Sequence, residues 1–143
     1  MSEPKVKVTN LDNGIRVVSD TMNSVESVSL GAWFGIGTRN ESADVNGVAH
    51  LLEHMAFKGT NGRSAAAIAE EVEIVGGHLN AYTSREQTAY YAKLLKDDMS
   101  LGVDILSDIL QNSIYHYVPY TELNLLLKIL VLLLSFPFYY MKA

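Results

Sequence analysis

The 143-residue chain has a formal net charge of −5 and no run of like charge, so nothing in its electrostatics points to nucleic acid. It has no cysteine, which excludes disulfides, thiolate metal sites and cysteine nucleophiles and leaves histidine and carboxylate as its strong metal ligands. An apolar fraction of 48% suffices for one core, and the length suits one domain or part of a larger one.

Residues 1–5 show neither the apolar stretch of a secretory signal nor the Arg-rich pattern of a transit peptide. Residues 5–9 alternate polar and apolar, as a half-buried strand does. Asn13-Gly14 is a hairpin signal, and residues 15–19 read as the partner strand. The apolar segment 25–37, with Trp33 as a core residue, predicts a central strand.

Residues 47–57 then repeat apolar side chains at helical spacing: Val48, Leu51, Leu52, Met55 and Ala56. This helix carries His50, Glu53 and His54 in the order His-x-x-Glu-His. The two histidines are one turn apart and share a face, and Glu53 borders it. Two imidazoles beside a carboxylate suit Zn²⁺ with a bound water, the chemistry of metal-assisted hydrolysis. The spacing is that of the inverzincin signature.

Ser64 caps a second predicted helix over 65–75, which Gly76-Gly77 ends. Residues 78–83 and 88–95 read as two strands joined by the polar turn 84–87. His78 is expected at the surface. Tyr90 and Tyr91 should pack on opposite faces, and Arg85-Glu86 should form a solvated pair. An amphipathic helix follows over 99–111. The order β-β-β-α-α-β-β-α predicts an α+β fold with helices packed on a largely antiparallel sheet.

The character changes at Ile114. Residues 123–141 are nearly all apolar, broken by Asn124, Lys128, Ser135 and Pro137. The run just reaches the length of a bilayer span, but a charge inside it and a proline near its end favour an exposed or partner-facing apolar tail over a membrane anchor.

Several segments together resemble the N-terminal part of the M16 zinc peptidases, the pitrilysin and insulinase family, and especially its processing-peptidase-like branch with bacterial members. They are Gly35-Ile-Gly-Thr-Arg39, Asn46-Gly-Val-Ala-His-Leu-Leu-Glu-His-Met-Ala-Phe-Lys-Gly-Thr60, Gly76-Gly-His-Leu-Asn-Ala-Tyr-Thr-Ser-Arg-Glu-Gln-Thr-Ala-Tyr-Tyr-Ala-Lys93 and Asp104-Ile-Leu-Ser-Asp-Ile-Leu-Gln-Asn-Ser113. The resemblance divides the chain into a truncated M16 N-terminal domain, 5–113, and a divergent apolar tail, 114–143. It implies that His50 and His54 hold Zn²⁺ and that Glu53 is the general base. It also implies that strand 78–83 is an edge to which an extended or presequence-like peptide adds, held by Asn80 and the backbone of Ala81. A homo- or hetero-oligomer with another M16 domain is implied, in a bacterial cytoplasm or, for a eukaryotic source, the mitochondrial matrix.

The chain also departs from the family pattern. The third zinc ligand, a glutamate, aligns at about Leu130, and an acidic helper aligns near Leu123; the only acidic residue after Asp108 is Glu122. A zinc site lacking its third ligand should be looser, and peptide hydrolysis impaired. The abrupt change after Ser113 is also what a shifted reading frame or truncated gene leaves. Two further readings therefore stand beside the peptidase: a non-catalytic module that binds peptides or docks a partner subunit, and an inactive product.

Overall fold

The computed structural model describes residues 6–114. The tail beyond them, with Glu122, Leu123 and Leu130, lies outside the described residues. The element order is β1 (Val6–Asn10), β2 (Arg16–Asp20), β3 (Ser27–Phe34), α1 (Val48–Ala56), α2 (Ala65–Ile74), β4 (His78–Thr83), β5 (Thr88–Leu95) and α3 (Met99–Gln111). Short 3₁₀ turns cover Thr38–Asn40, Ala43–Val45 and Lys96–Asp98. The α+β order expected from the sequence is present, with antiparallel pairing throughout.

β5 is the middle of a three-stranded sheet ordered β3-β5-β4. Its alternation sorts the side chains: Tyr90, Ala92 and Leu94 face the helices, while Tyr91, Lys93 and Leu95 face outward. Leu30 lies opposite Ala92 on β3, and Leu79 opposite Ala92 on β4, so the three strands give one continuous apolar face. Leu52 and Ala56 of α1, Ile68 and Val72 of α2, and Ile105, Leu106 and Ile109 of α3 close over it. Burying one such aliphatic side chain contributes about 1.5–3 kcal/mol, so this face is the main source of stability. α3 covers β3 and β5, whereas α1 and α2 lie against β4.

Three expectations are corrected. Among the described residues, segment 25–37 is strand only over Ser27–Phe34 and pairs with β5 alone, so it is an edge and β5 is the centre. β1 is exposed along its whole length, because its hairpin with β2 forms a separate two-stranded unit instead of lying under the helices. Trp33 is half-buried on the outer sheet face, opposite Leu30 and Phe34 in the strand alternation. Tyr90 and Tyr91 do divide between the faces, with Tyr90 only 4% exposed.

The segment between α1 and α2 is fixed by a polar cluster that sequence patterning did not anticipate. Buried Thr60 donates to Asp108 Oδ2 at 2.7 Å and accepts from the Arg63 backbone N–H at 2.9 Å. The Arg63 guanidinium reaches both oxygens of Glu71 on α2 at 3.1 Å, and Asp108 on α3 at 3.0 Å, with Asp104 beside it. Its bonds to Glu71, Asp108 and Asp104 hold it still more firmly protonated than a free arginine. Burial pushes the Asp108 carboxyl up. Hydrogen bonds from Thr60, Asn112 and Arg63, with the Arg63 charge, outweigh this and leave it below its ordinary value of 3.8.

Replacing Arg63 by alanine should lower unfolding free energy by about 2–3 kcal/mol, since it strips a nearly buried Asp108 of its cation; the more exposed Asp104 and Glu71 add little. Arg63→Lys should recover less than half, because an ammonium lacks the planar fork. Asp108 has a depressed folded-state pKa, so its stabilisation is present above 3.8 and is lost as pH falls through the lower folded value. Asp108→Asn should therefore flatten the acid limb of stability against pH in urea unfolding. An acid limb of unchanged slope would contradict this.

Candidate metal and peptide site

α1 is amphipathic, but of the apolar residues read from the sequence Leu51 is exposed and Val48 only half-buried. Ala49, Leu52, Met55 and Ala56 are buried, His50 and His54 are exposed, and Glu53 lies between. The helix lacks an ordinary N-cap. Gly47 occupies that position with φ of 94°, a left-handed conformation natural to glycine, and provides no side-chain acceptor. The Glu41 carboxylate serves instead: Oε2 accepts from Gly47 N at 2.7 Å and Oε1 from Ala49 N at 2.8 Å. A carboxylate there also complements the positive end of the helix dipole. At the far end, the Ser113 hydroxyl donates to Ile109 O of α3 at 2.6 Å and lies 3.2 Å from Ala56 O.

His50 Nε2 and His54 Nε2 lie 3.1 Å apart, with one ring donating to the other according to tautomer. A tetrahedral ion with Zn–N bonds of about 2.1 Å places two nitrogen ligands about 3.4 Å apart, so the pair is already close to a shared-ion spacing. Glu53 Oε2 is shut off from solvent and has no hydrogen-bond partner. An orphaned buried carboxylate oxygen costs stability, and so calls for an explanation. The donor set therefore fits a divalent cation. Among the described residues no third histidine or carboxylate joins it.

β4 runs beside α1, and Thr83 Oγ1 donates weakly to Ala49 O at 3.4 Å. Among the described residues β4 pairs only with β5, so it is a sheet edge. Asn80 is exposed and Ala81 half-buried, and the Ala81 N–H donates to Asn80 Oδ1 at 2.8 Å. Between α2 and β4 an apolar cleft of about 320 Å³ is lined by Phe57, Ile68, Val72 and Leu79, with Glu73 and His78 among its polar groups. His78 is exposed and stands apart from the His50–His54 pair as a surface residue. His116 lies outside the described residues.

The loop leading to α1 is bolted to the β4–β5 turn. Thr38 N and Arg39 N donate to Ser84 O and Arg85 O, both at 3.0 Å, and Thr88 Oγ1 donates to Ile36 O at 3.0 Å. Gly37 permits the approach, since a Cβ there would meet Ser84 O at 2.3 Å. Glu86 pairs with Arg39 at 2.6 Å, in place of the expected Arg85 pair, and both side chains are over 60% exposed, so the pair contributes little. Glu41, Thr83 and Thr88 escaped sequence reasoning. Their partners are main-chain groups brought close only by the fold, and no local spacing marks them.

The family model for insulinase, peptidase family M16, matches residues 16–116. The chain belongs to peptidase family M16. This M16 chain is 52% identical over 113 residues to a probable mitochondrial-processing peptidase subunit beta of Arabidopsis thaliana, covering 79% of the chain and 21% of that protein. It is 50% identical over 113 residues to the beta subunit of Blastocladiella emersonii, covering 79% and 24%, and 49% identical to that of Homo sapiens, covering 79% and 23%. A crystal structure of a protease from Helicobacter pylori superposes with a TM-score of 0.74 at 26% identity, over 88% of this chain and 30% of that one. The M16 chain thus spans under a quarter of the length of these curated relatives.

The orphaned Glu53 oxygen leads to a direct expectation. In metal-free protein, Glu53→Gln should raise unfolding free energy by about 1 kcal/mol, because the neutral amide loses less on leaving water. The melting temperature should then rise by roughly 3–4 °C. A melting temperature at or below that of the parent chain would contradict it.

Proposed function

We propose that this chain carries the zinc-binding and general-base portion of an M16 metallopeptidase acting on extended peptides. The observation that carries the reading is the His50–His54 pair at ligand spacing on the helix that also carries the orphaned Glu53 carboxylate. His50 and His54 would hold the ion. Zinc, when bound, supplies Lewis-acid chemistry, stabilising negative charge on a scissile carbonyl and lowering the pKa of an attacking water. Glu53 Oε2 is then the acceptor for the proton that water must lose, and the same carboxyl can deliver it to the departing amine.

The β4 edge is the peptide platform in this reading. An added strand draws its affinity from main-chain hydrogen bonds at Asn80 and Ala81, and hence with little sequence preference. The neighbouring cleft of about 320 Å³, with Phe57 and Leu79 in its wall, offers room for an apolar side chain of the same peptide. The division into a domain over 5–113 and an apolar tail belongs to this proposal. So does an impaired activity: with leucine at position 130, where the family glutamate aligns, zinc is held by two family ligands and binds more loosely. The beta-subunit relatives support pairing with a second M16 subunit and, in a eukaryotic source, a mitochondrial location. The open β4 edge favours one second reading, peptide capture without cleavage.

Zinc titration and cleavage of a fluorogenic extended peptide decide between them. The chain should bind one zinc, and His50→Ala or His54→Ala should abolish binding. Glu53→Gln should retain zinc and peptide but lose at least about 10²-fold in cleavage rate. Peptide binding without cleavage in either form supports capture alone; failure of refolded chain to take up zinc removes the metallopeptidase reading.

A further inference from the structure

Resting on the zinc-site reading, we propose that Glu41 is a positioning residue for the metal-binding helix, coupling it to the peptide-binding edge. An α-helix begins with N–H groups that lack intrahelical partners. The usual solution is a capping box: a side chain at the N-cap accepts from the second or third helical N–H, and a Glu or Gln at the third helical position accepts from the N-cap N–H. α1 can use neither half. Its N-cap is Gly47, without a side chain, and its third helical residue is His50, committed to the site. Glu41 does both jobs from outside the helix, one oxygen on Gly47 N at 2.7 Å and the other on Ala49 N at 2.8 Å. Two bonds from one rigid carboxylate fix the helix end both along its axis and in rotation about it. The second bonded amide, Ala49, is the residue immediately before His50.

Glu41 is itself held on the peptide side. The segment before it is hydrogen-bonded to the β4–β5 turn through Thr38 N and Arg39 N, and Glu41 N donates to Thr38 O at 3.3 Å. Thr83, the last residue of β4, bonds the Ala49 carbonyl. The carboxylate is therefore the joint between two bodies that must keep register: the strand carrying Asn80 and Ala81, and the helix carrying His50, Glu53 and His54. Helix propensity cannot supply that register, because a nine-residue helix is marginal alone.

The test uses the full 143-residue chain, with Co²⁺ as a spectroscopic substitute for zinc, and compares wild type, Glu41→Gln, Glu41→Asp and Ser64→Ala. Glu41→Gln keeps the shape but turns an NH₂ toward one backbone N–H, and Glu41→Asp is a methylene too short to span both. Ser64→Ala removes the cap of α2, where Ser64 Oγ accepts from Ala67 N at 3.1 Å, and serves as a destabilised control away from the site. Both Glu41 variants should lose about 10–100-fold in Co²⁺ affinity and shift the visible Co²⁺ bands, as loss of support behind a metal ligand does. Metal-free amide exchange should rise about tenfold or more across residues 51–54 while α3 stays protected. Ser64→Ala should melt earlier yet bind Co²⁺ with wild-type affinity and spectrum. A Glu41→Gln protein with wild-type affinity and spectrum, or an affinity loss matched by Ser64→Ala, overturns the proposal while the zinc site stands. A wild-type chain that takes up no Co²⁺ overturns the zinc-site reading, and this proposal with it.

Discussion

A nine-residue helix has to do two opposed things at once. One side of α1 buries Ala49, Leu52, Met55 and Ala56 against the sheet, the other presents His50 and His54 to solvent, and Glu53 lies between. Nine residues give too few internal hydrogen bonds for the helix to hold itself, and the exposed polar side contributes no burial. The surrounding structure follows from that shortage. Glu41 secures the first turn, Thr83 reaches its carbonyl from β4, and Ser113, bonded to α3, lies against the last turn. Each tie comes from a different stretch of chain, so the site is geometrically sound only when the whole α+β unit is assembled.

The α1–α2 connection depends on the same assembly. Thr60 and Arg63 tie it to α3, and Arg63 ties it also to α2. Main-chain bonds from Ile114 N to Gly59 O and from Asn61 N to Asn112 O bring the end of α3 alongside it. This places Ser113 below α1. A polar cluster away from His50 and His54 thus sets the far end of the helix that carries them, and the core of Leu30, Ile105 and Ile109 provides the rigid floor beneath.

Sequence reading reached the elements whose signals are local. β4, β5 and α3 have the expected limits, because Gly76-Gly77, the polar turn 84–87 and Asp97-Asp98 interrupt strong periodic patterns. The closeness of His50 and His54 was legible for the same reason: helical spacing alone puts the two rings on one face. What failed was information held between elements. Whether β3 or β5 is central depends on which strand the chain returns to, and the exposure of β1 depends on what its hairpin meets. Trp33 has the composition of a core residue but falls on the open face by strand parity. Glu41 is six residues before the N-cap position of the helix it caps, separated by a 3₁₀ turn, a spacing that no capping rule covers.

The self-bond at Ala81 bears on the chemistry of an exposed strand edge. Unpaired edges recruit other strands indiscriminately and are where aggregation begins. Here the Asn80 carboxamide already occupies the Ala81 amide, so a strand adding at that point has to displace a side chain before it can pair. Casual neighbours, making only one or two bonds, gain too little to do so. A long extended peptide, bonding at several successive residues, recovers the loss. One asparagine thereby leaves one amide of this edge already satisfied before any strand is added.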